Sequence, residues 1–431
     1  MTIALYFFPL LLILLWYVRR GQGEHARSLA MLEENQRAGL TEPASLHPVI
    51  DAGRCMGCGS CASACPEGNV LGLVEGRAVL INATHCIGHG ACKEACPFDA
   101  ITLVFGTEKR GVDIPAVKPN FETNMPGIFI AGELGGMGLI RNAVEQGRQA
   151  MLSIGAYKGV GKGGDWLDVV IVGAGPAGFS ASLGAMEKKL KVVTIEQEAL
   201  GGTVSHFPRG KLVMTAPVKL PLVGKMSFTE TTKETLMAFW EKTAQETGVK
   251  INYGERLDEI TAEAGGYLVR SSKAEYRTRT VLLAIGRRGT PRKLGVDGET
   301  LPKVVYRLID AEQYKGQHVL VVGGGDSALE AAVSVAEQPG TTVTLSYRSA
   351  AFSRAREKNR KRIEEAEAAG RMRVIFTSNV VSISESTVMI DQEGKMIELP
   401  NDAIIVSAGG ILPTPFLKKT GIEVETHHGA A

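Results

Sequence analysis

Residues 168–196, DVVIVGAGPAGFSASLGAMEKKLKVVTIE, restrict the fold of this chain more than any other stretch. The apolar run 169–172 predicts a buried parallel strand. Three glycines then follow with G-x-G-x-x-G spacing at the start of a predicted helix, where they allow a tight turn, a close pyrophosphate and helix–strand packing. A second apolar run ends at Glu196, which is placed to accept hydrogen bonds from a ribose. The stretch therefore predicts dinucleotide binding by Gly173, Gly175, Pro176, Ala177, Gly178 and Glu196.

A second nucleotide motif, HVLVVGGGDSALEAA, occupies residues 318–332. Ala328 stands at the third glycine position of this fingerprint. The next predicted strand, 342–347, is followed by Arg348 and not by an acid, which favours the 2′-phosphate of NADPH. The alternative is that Arg348 is a solvated surface charge. The predicted site comprises Gly323, Gly325, Asp326, Ser327, Arg348 and Arg354.

All seven cysteines lie between Cys55 and Cys96, which indicates a metal site and not a disulfide framework. The first run, residues 55–66, has the spacing C-x-x-C-x-x-C-x-x-x-C-P of a bacterial iron–sulfur ligand run. The second run, residues 86–97, repeats this spacing with His89 in place of the second cysteine. Thiolates are soft ligands that suit iron, and the paired runs make a zinc site the weaker alternative.

Residues 47–105 resemble the two-cluster bacterial ferredoxins, in which the fourth cysteine of each run ligates the other cluster. The resemblance implies a 4Fe–4S cluster held by Cys55, Cys58, Cys61 and Cys96. It implies a second cluster held by Cys65, Cys86 and Cys92, with His89 as the open fourth ligand. Three alternatives stay open at His89, namely a histidine-ligated cluster of raised potential, a 3Fe–4S cluster, or a histidine that is only adjacent.

The chain begins with an uncharged apolar run, Thr2 to Val18. Seventeen helical residues would extend about 26 Å, enough to cross a bilayer core. Arg19 and Arg20 follow directly and predict a cytoplasmic flank, while a cleaved signal peptide would carry positive charge before its apolar run. The sequence thus predicts a single transmembrane anchor in the cell inner membrane. A polar segment, helical over residues 24–38, is expected to follow it as a stalk, and a plain linker is the favoured interpretation of this segment.

Residues 120–151, here called the displaced segment, resemble the last FAD-contacting segment of thioredoxin-reductase-like flavoproteins. In that family the segment follows the nicotinamide domain, whereas here it precedes the first fingerprint. Circular permutation is the simpler explanation, and a domain-swapped homodimer is the alternative. The resemblance places Gly132 and Gly135 in a turn against FAD and Glu133 near the ribityl chain. A helix beginning near Ile140 would point its N-terminus at the flavin, and the stretch GGTVSHFPR adds Gly202 and Thr203 to the predicted FAD site.

Thioredoxin reductases carry a C-x-x-C just before the second fingerprint, but the matching stretch here, residues 304–314, contains no cysteine. This excludes thiol–disulfide exchange at the flavin by the chain's own cysteines. The chain is most similar to the cysteine-free, bacilliredoxin-reductase-like branch. The resemblance covers about residues 115–431, and it implies cofactors more firmly than a substrate.

The predicted fold class is α/β, with two nested Rossmann-like nucleotide-binding domains, a small α+β ferredoxin domain and one transmembrane helix. A net charge of +2 argues against a nucleic-acid binder. The predicted divisions are 1–20 anchor, 21–46 stalk, 47–105 dicluster ferredoxin domain, 106–165 displaced part of the FAD domain, 166–290 FAD domain, 291–400 NAD(P)H domain and 401–431 return to the FAD domain.

These features predict a membrane-anchored iron–sulfur flavoprotein that passes electrons among NAD(P)H (NADPH before NADH), FAD and two iron–sulfur clusters. The expected partner is a membrane redox protein, a multisubunit electron-transfer complex or a soluble ferredoxin, and the electrons could flow in either direction. No side chain is expected to act as a catalytic acid or base, because the cofactors carry the chemistry. The alternatives are a flavin-dependent reductase of a partner's disulfide and a non-catalytic relay subunit.

Overall fold

The computed structural model describes residues 19, 22–37, 40–43, 46–86, 88–107, 111–136, 138–214, 217–228, 230–353 and 355–429. The predicted membrane anchor lies outside the described residues. None of the helices in the described ranges is long and apolar enough to cross a membrane.

The predicted stalk contains a helix over residues 22–37, which packs on the ferredoxin-like domain. The Asn35 side-chain amide donates a 2.9 Å hydrogen bond to the carbonyl of Ile81, and Leu40 is buried. A Cβ added to Gly72 would lie 2.6 Å from the Ser28 hydroxyl, so helix and domain are in direct contact. The segment is therefore part of the ferredoxin-like domain's packing and not the free linker that its polarity predicts.

The ferredoxin-like domain consists of two antiparallel strand pairs and two short helices, each of which carries one cysteine. One pair joins the start and end of the domain, with Pro48 opposite Leu103 and Ile50 opposite Ile101. Its strands are His47–Ile50, Leu71–Val74, Arg77–Leu80 and Ile101–Val104, and its helices are Ser60–Ala64, the 3₁₀ turn Ala83–His85 and Ala91–Glu94. The core mixes aliphatic side chains with cysteines, notably Cys61, Cys86 and Cys92.

The first nucleotide fold is built on a seven-stranded sheet. Val169–Val172 within its central strand is completely or almost completely buried, as the apolar run predicts. The path through the sheet is Asn252–Tyr253, Val192–Glu196, Leu167–Val172, Glu275–Leu283, Gly266–Ser271 and Leu257–Glu263. The helices are Ile140–Gly155, Pro176–Glu187 and Lys233–Thr247, with 3₁₀ turns at Glu133–Gly135 and Gly202–His206 and short strands at Leu212–Met214, Val218–Leu220, Gly224–Met226 and Glu230–Thr232.

The displaced segment supplies the seventh strand of this sheet. Ile128–Ile130 pairs in parallel with residues 281–283 of the same chain, and all three of its residues are buried. Just before it, Val112–Pro115 pairs antiparallel with Val424–His427. The part of the chain that precedes the first fingerprint is thus built into the fold that the fingerprint starts.

The second nucleotide fold has a five-stranded parallel sheet in the order Val304–Val305, Ala403–Val406, His318–Val322, Thr342–Ser346 and Met372–Ile375. The helices Asp326–Ala336 and Glu357–Ala368 cover it, together with the 3₁₀ turn Ala311–Tyr314. An antiparallel sheet of Ser378–Ile383, Thr387–Gln392 and Lys395–Pro400 is attached, and Thr290–Pro291, Gly410–Ile411 and the helix Thr414–Lys419 form the junction with the first fold.

The predicted end of this domain at residue 400 is corrected by the structure. Ala403–Val406 pairs with His318–Val322 inside the five-stranded sheet, so it belongs to the second fold. The return to the first fold comes later, where Gly410–Ile411 pairs with Thr290–Pro291. The sequence did not separate the two possibilities because a fully apolar strand fits the centre of either parallel sheet.

Candidate functional site

The first fingerprint forms a tight turn between Val172 and the helix Pro176–Glu187. Gly173 has φ of 100°, and a Cβ there would lie 2.5 Å from the carbonyl oxygen of Ala284. A Cβ on Gly178 would lie 1.8 Å from the carbonyl oxygen of Gly173. Glycine is therefore required at both positions for the strand, turn and helix to meet. Gly175 precedes the helix, Pro176 is its first residue, and Ala177 is buried under the turn.

Glu196 ends the second strand of this fold and is almost completely buried. One carboxylate oxygen accepts a 2.6 Å hydrogen bond from the Ala174 backbone N–H, and the other accepts one from the N–H of Glu198. Burial raises the pKa of the Glu196 carboxyl, and the backbone hydrogen bonds oppose that shift. The carboxylate is thereby fixed against the fingerprint turn, where a ribose bound to that turn would meet it.

The displaced segment brings a second glycine turn to the same place. Gly132 has φ of 86° and ψ of −156°, a region that only glycine adopts readily. A Cβ there would lie 2.9 Å from the Ala177 Cβ, and the Gly132 N–H donates to the Gln146 side chain at 2.8 Å. Gly135 differs from the prediction, because it has no positive φ and the nearest atom to its Cβ position is 3.9 Å away.

Glu133 follows Gly132 and begins the 3₁₀ turn Glu133–Gly135. Burial raises the pKa of its carboxyl, and the guanidinium groups of Arg287 and Arg288 oppose the shift. Gly202 approaches from a third element, since a Cβ there would lie 3.1 Å from the Gly175 Cα. Thr203 is next to it in the 3₁₀ turn Gly202–His206. The residues predicted for FAD thus come together from three separate parts of the chain.

The helix of the displaced segment begins at Ile140, as predicted. Sequence reasoning missed Gly147 within it, although a Cβ there would lie only 2.1 Å from the Ala177 carbonyl oxygen. The buried small residues Ala143, Gly147 and Ala150 lie along one face, and this spacing is the signal that could have indicated a close helix contact.

A cluster of ionisable residues that sequence reasoning also missed joins the two nucleotide folds. His206 contacts the Glu198 carboxylate through Nε2, and its Nδ1 lies 2.9 Å from Arg307 Nη1. Burial lowers the pKa of His206, and Arg307 lowers it further. A neutral ring that donates from Nε2 to Glu198 and accepts at Nδ1 from Arg307 satisfies all three groups. Nearby, Lys211 of the first fold bonds Glu330 of the second at 2.6 Å.

The turn of the second fingerprint also requires glycine, at Gly323. Gly323 has φ of 142°, and a Cβ there would lie 2.4 Å from the Ser407 carbonyl oxygen. Gly325 precedes the helix Asp326–Ala336, in which Ser327 is exposed. Asp326 accepts hydrogen bonds from the Arg356 N–H at 2.8 Å and from the Asn359 side chain at 2.7 Å.

The Tyr347 ring lies over the second fingerprint turn, because a Cβ on Gly324 would fall 2.3 Å from it. Arg348 follows this tyrosine and is exposed, with no hydrogen bond or ion pair to any described side chain. Its position at the end of the second strand is the one predicted for the 2′-phosphate contact. Arg354 lies outside the described residues, so its predicted part in the site stays a prediction.

We expect the protein to prefer NADPH over NADH. Arg348→Glu should lower kcat/KM for NADPH by about tenfold or more, because a hydrogen bond to a charged group contributes about 1.5–3 kcal/mol. The value for NADH should change much less. The measurement is steady-state reduction of an artificial acceptor with each cofactor. Lys395→Glu, an equal charge reversal in the attached antiparallel sheet, is the matched control. Equal efficiencies with the two cofactors in the unaltered protein would contradict the specificity prediction.

The eight predicted metal ligands surround two cavities in the ferredoxin-like domain. Cys55, Cys58, Cys61 and Cys96 line one of them, here called the all-cysteine cavity. Cys65, Cys86, Cys92 and His89 line the other, here called the His89 cavity. In the described ranges no group of three or more His, Cys, Asp or Glu side chains could hold a single metal ion. The ligands instead stand around two volumes, which fits two clusters with exchanged fourth cysteines.

Burial makes three of the thiols in the cavities harder to deprotonate. Burial raises the pKa of Cys86 to about 11, and burial also raises the pKa of Cys61 and Cys92. Cys58 is exposed, and a hydrogen bond to the Ser60 hydroxyl lowers its pKa. Because thiolates are the ligands, cluster binding would release the protons of the buried thiols.

His89 lines the cavity at the place of the fourth ligand. Its Nε2 lies 3.7 Å from a Glu67 carboxylate oxygen, and Glu67 lines the same cavity. The position fits either a histidine ligand or a histidine beside a cluster, so the alternatives at His89 stay open.

We expect the purified protein to contain about eight iron atoms per chain, or about seven if the His89 cavity holds a 3Fe–4S cluster. The measurement is colorimetric iron and sulfide content, normalised to chain concentration by amino-acid analysis. The FAD content of the same sample controls for damaged protein. A value of four or fewer in a sample with full FAD content would contradict the two-cluster interpretation.

Comparison with known proteins gives two family matches. Residues 170–430 match the pyridine nucleotide-disulphide oxidoreductase model, and residues 47–97 match the 4Fe–4S dicluster domain model. Bacilliredoxin reductase of Bacillus subtilis strain 168 is 25% identical over 266 residues, covering 60% of this chain and 82% of that protein. A ferredoxin–NADP reductase of Pediococcus pentosaceus is 29% identical over 272 residues, covering 61% and 78%.

Among solved structures, the bacillithiol disulfide reductase of Staphylococcus aureus superposes with a TM-score of 0.52 at 23% identity, covering 59% of this chain and 80% of that one. This likeness shows the shared fold. The larger family match spans more than half of the chain and contains both fingerprints, whereas the displaced segment precedes it. The chain therefore belongs to the pyridine nucleotide-disulphide oxidoreductase family, as an NAD(P)H-dependent FAD oxidoreductase that carries a 4Fe–4S dicluster domain.

Proposed function

We propose that this protein passes electrons between NAD(P)H and a one-electron partner through FAD and two 4Fe–4S clusters. The observation that supports this proposal is a contact between Phe105 and Gly136. Phe105 follows the last strand of the ferredoxin-like domain, and a Cβ added to Gly136 would lie 2.7 Å from the Phe105 ring. Gly136 ends the Glu133–Gly135 turn of the predicted FAD site. Cluster and flavin domains therefore meet where an electron would have to cross.

The residues of this chain serve to hold and orient cofactors. The glycines at 132, 173 and 178 leave backbone space that a side chain would fill, and Glu196 presents a fixed carboxylate. When bound, FAD accepts a hydride and gives electrons up singly, and this supplies the redox chemistry. The Arg307–His206–Glu198 and Lys211–Glu330 contacts hold the second fold against the first.

We propose that the displaced segment completes the FAD site of its own chain by circular permutation. Support comes from the pairing of Ile128–Ile130 with residues 281–283, and from the approach of Gly132 to Ala177. The alternative arrangement, in which two chains exchange this segment, would build an equivalent site across a homodimer.

We further propose a membrane location, with the span Thr2–Val18 in the inner membrane and the remaining domains in the cytoplasm. Support comes from the uncharged run and the two arginines that follow it. A membrane redox partner or complex would then exchange electrons with the clusters. The similarity to ferredoxin–NADP reductases supports a ferredoxin-like carrier as the other partner class.

A second candidate function is reduction of a partner's disulfide, favoured by the similarity to bacilliredoxin reductase. All seven cysteines of this chain lie in the two iron–sulfur ligand runs. The thiols for such a reaction would therefore have to come from the partner.

The test is anaerobic stopped-flow mixing of the intact protein with NADPH, followed by absorbance and low-temperature EPR. We expect fast flavin bleaching and then cluster reduction. Flavin bleaching without cluster reduction would favour the disulfide reductase. An unreactive flavin would contradict both candidates and indicate a relay subunit.

A further inference from the structure

The two cluster cavities lie one after the other along a single strand pair. Pro48 and Leu103, which face each other in the pair, both line the His89 cavity. Ile50 and Ile101, also paired, both line the all-cysteine cavity. Positions two residues apart along a strand are about 7 Å apart. The two cavities therefore lie at successive positions along the same strand pair.

The His89 cavity lies at the end of this pair that faces the flavin. The strand Ile101–Val104 runs from the all-cysteine cavity to the His89 cavity and continues directly into Phe105. The Phe105 ring contacts Gly136 beside the FAD turn. Along this strand, the His89 cavity is therefore nearer to the FAD turn than the all-cysteine cavity is.

A second contact places the same end of the domain against the second nucleotide fold. His85, directly before the ligand Cys86, has its Nε2 3.9 Å from a carboxylate oxygen of Glu357. Glu357 begins the helix Glu357–Ala368 of the second fold. His85 and the ligand Cys86 are neighbours in sequence, so the end of the domain that holds the His89 cavity also contacts the second nucleotide fold.

The all-cysteine cavity has the opposite surroundings. Two of its lining side chains are large, apolar and accessible, with Met56 69% exposed and Phe98 44% exposed. Its ligand Cys58 is exposed as well. This cavity is therefore bordered by exposed side chains of the ferredoxin-like domain.

We infer that the two cluster sites work in a fixed order, with the His89 cavity on the flavin side and the all-cysteine cavity as the outer site where electrons enter or leave. The inference rests on the proposed function. In the NADPH-oxidising direction, one NADPH and two oxidised one-electron carriers yield NADP⁺, two reduced carriers and one proton. The exposed edge formed by Met56 and Phe98 would receive the carriers, and the residues of the His89 cavity would hold the cluster nearer to the FAD turn.

The order is tested by removing one ligand from each cavity in the full chain. Cys92→Ala disables the His89 cavity and Cys61→Ala the all-cysteine cavity, and both residues are buried. Each variant is treated anaerobically with excess NADPH or with dithionite, and its reduced clusters are quantified by EPR. We expect NADPH to reduce the remaining cluster of Cys61→Ala as fully as dithionite does. In Cys92→Ala the remaining cluster should respond to dithionite only, although the flavin still bleaches.

Equal reduction by NADPH in both variants, or the reverse pattern, would overturn the order. Failure of the proposed function is distinguishable, because NADPH would then fail to reduce the clusters of the unaltered protein. If a cysteine variant loses both clusters, Phe105→Ala keeps every ligand and serves as the test. It should lose most of the rate of NADPH-driven cluster reduction while its dithionite-reduced EPR spectrum stays unchanged. An unchanged rate in Phe105→Ala would count against the strand as the route from the flavin.

Discussion

Replacing Gly132 by valine is expected to abolish FAD binding while the iron content of the protein stays unchanged. The backbone at Gly132 has φ of 86° and ψ of −156°, which costs about 1–3 kcal/mol for other residues. A side chain there would also press on Ala177 at the base of the first fingerprint. The measurement is FAD released on denaturation, per chain, together with iron content.

Gly135→Ala is the matched control, three residues further along the same turn. Its Cβ would meet nothing closer than 3.9 Å and its φ is not positive, so FAD should be retained. Full FAD content in Gly132→Val would show that the displaced segment is only a connector. Loss of iron as well as FAD would indicate general misfolding and not a cofactor-site effect.

The Gly132→Val substitution also distinguishes circular permutation from exchange of the displaced segment between two chains. Gly132→Val would be co-expressed with a differently tagged Gly178→Val chain, whose side chain would clash with the Gly173 carbonyl oxygen. If each chain completes its own site, both sites of any mixed dimer are damaged and no FAD is recovered. If the segments are exchanged, one site carries both lesions and the other is intact. Recovery of about half of the flavin in isolated mixed dimers would therefore establish the swap.

The second large effect is expected from Gly147→Ala, which should destabilise the flavoprotein by about 1–3 kcal/mol or more because it overpacks a close helix contact. The new methyl group would lie 2.1 Å from the backbone oxygen of Ala177. The helices Ile140–Gly155 and Pro176–Glu187 would have to separate. The measurement is the temperature at which FAD fluorescence appears on heating, compared with the unaltered protein.

Gly155→Ala, at the end of the same helix, is the control. Its Cβ would meet only the flexible end of the Lys188 side chain at 3.2 Å or more. Because alanine is the better helix former by roughly 0.5–1 kcal/mol, this variant should be as stable as the unaltered protein or slightly more stable. Equal stability of Gly147→Ala would mean that the two helices do not pack as the structure has them.

Sequence reasoning succeeded where a local pattern determines the geometry. The first fingerprint predicted the backbone turn at Gly173, and the resemblance of the displaced segment to a family's FAD-contacting segment predicted a helix that begins near Ile140. The ligand spacings, with the fourth-cysteine exchange that the ferredoxin resemblance implies, predicted two groups of side chains that line two cavities in the structure. In each case the necessary information lies within one continuous segment of the chain.

The remaining features depend on which distant elements meet, and no local pattern encodes that. Gly147 is constrained only because Ala177 lies against it. His206 joins the two nucleotide folds only because Arg307, 101 residues later in the chain, contacts its Nδ1. The polar helix at 22–37 packs on the ferredoxin-like domain only because Gly72 and Ile81, far along the chain, lie against it. Ala403–Val406 was assigned to the wrong sheet for the same reason.

The pairing of Val112–Pro115 with Val424–His427 has a consequence for how the protein is made. Thr426 hydrogen-bonds Asp113 across 313 residues of sequence. At a translation rate of about 5–20 residues per second, the earlier strand leaves the ribosome roughly 15–60 s before its partner. During that interval the ferredoxin-like domain can fold and receive iron, while Val112–Pro115 lacks its partner strand and exposes an unpaired edge. Nascent chains of this protein should therefore depend on chaperone protection until the last strand is synthesised, and cluster insertion should precede flavin insertion.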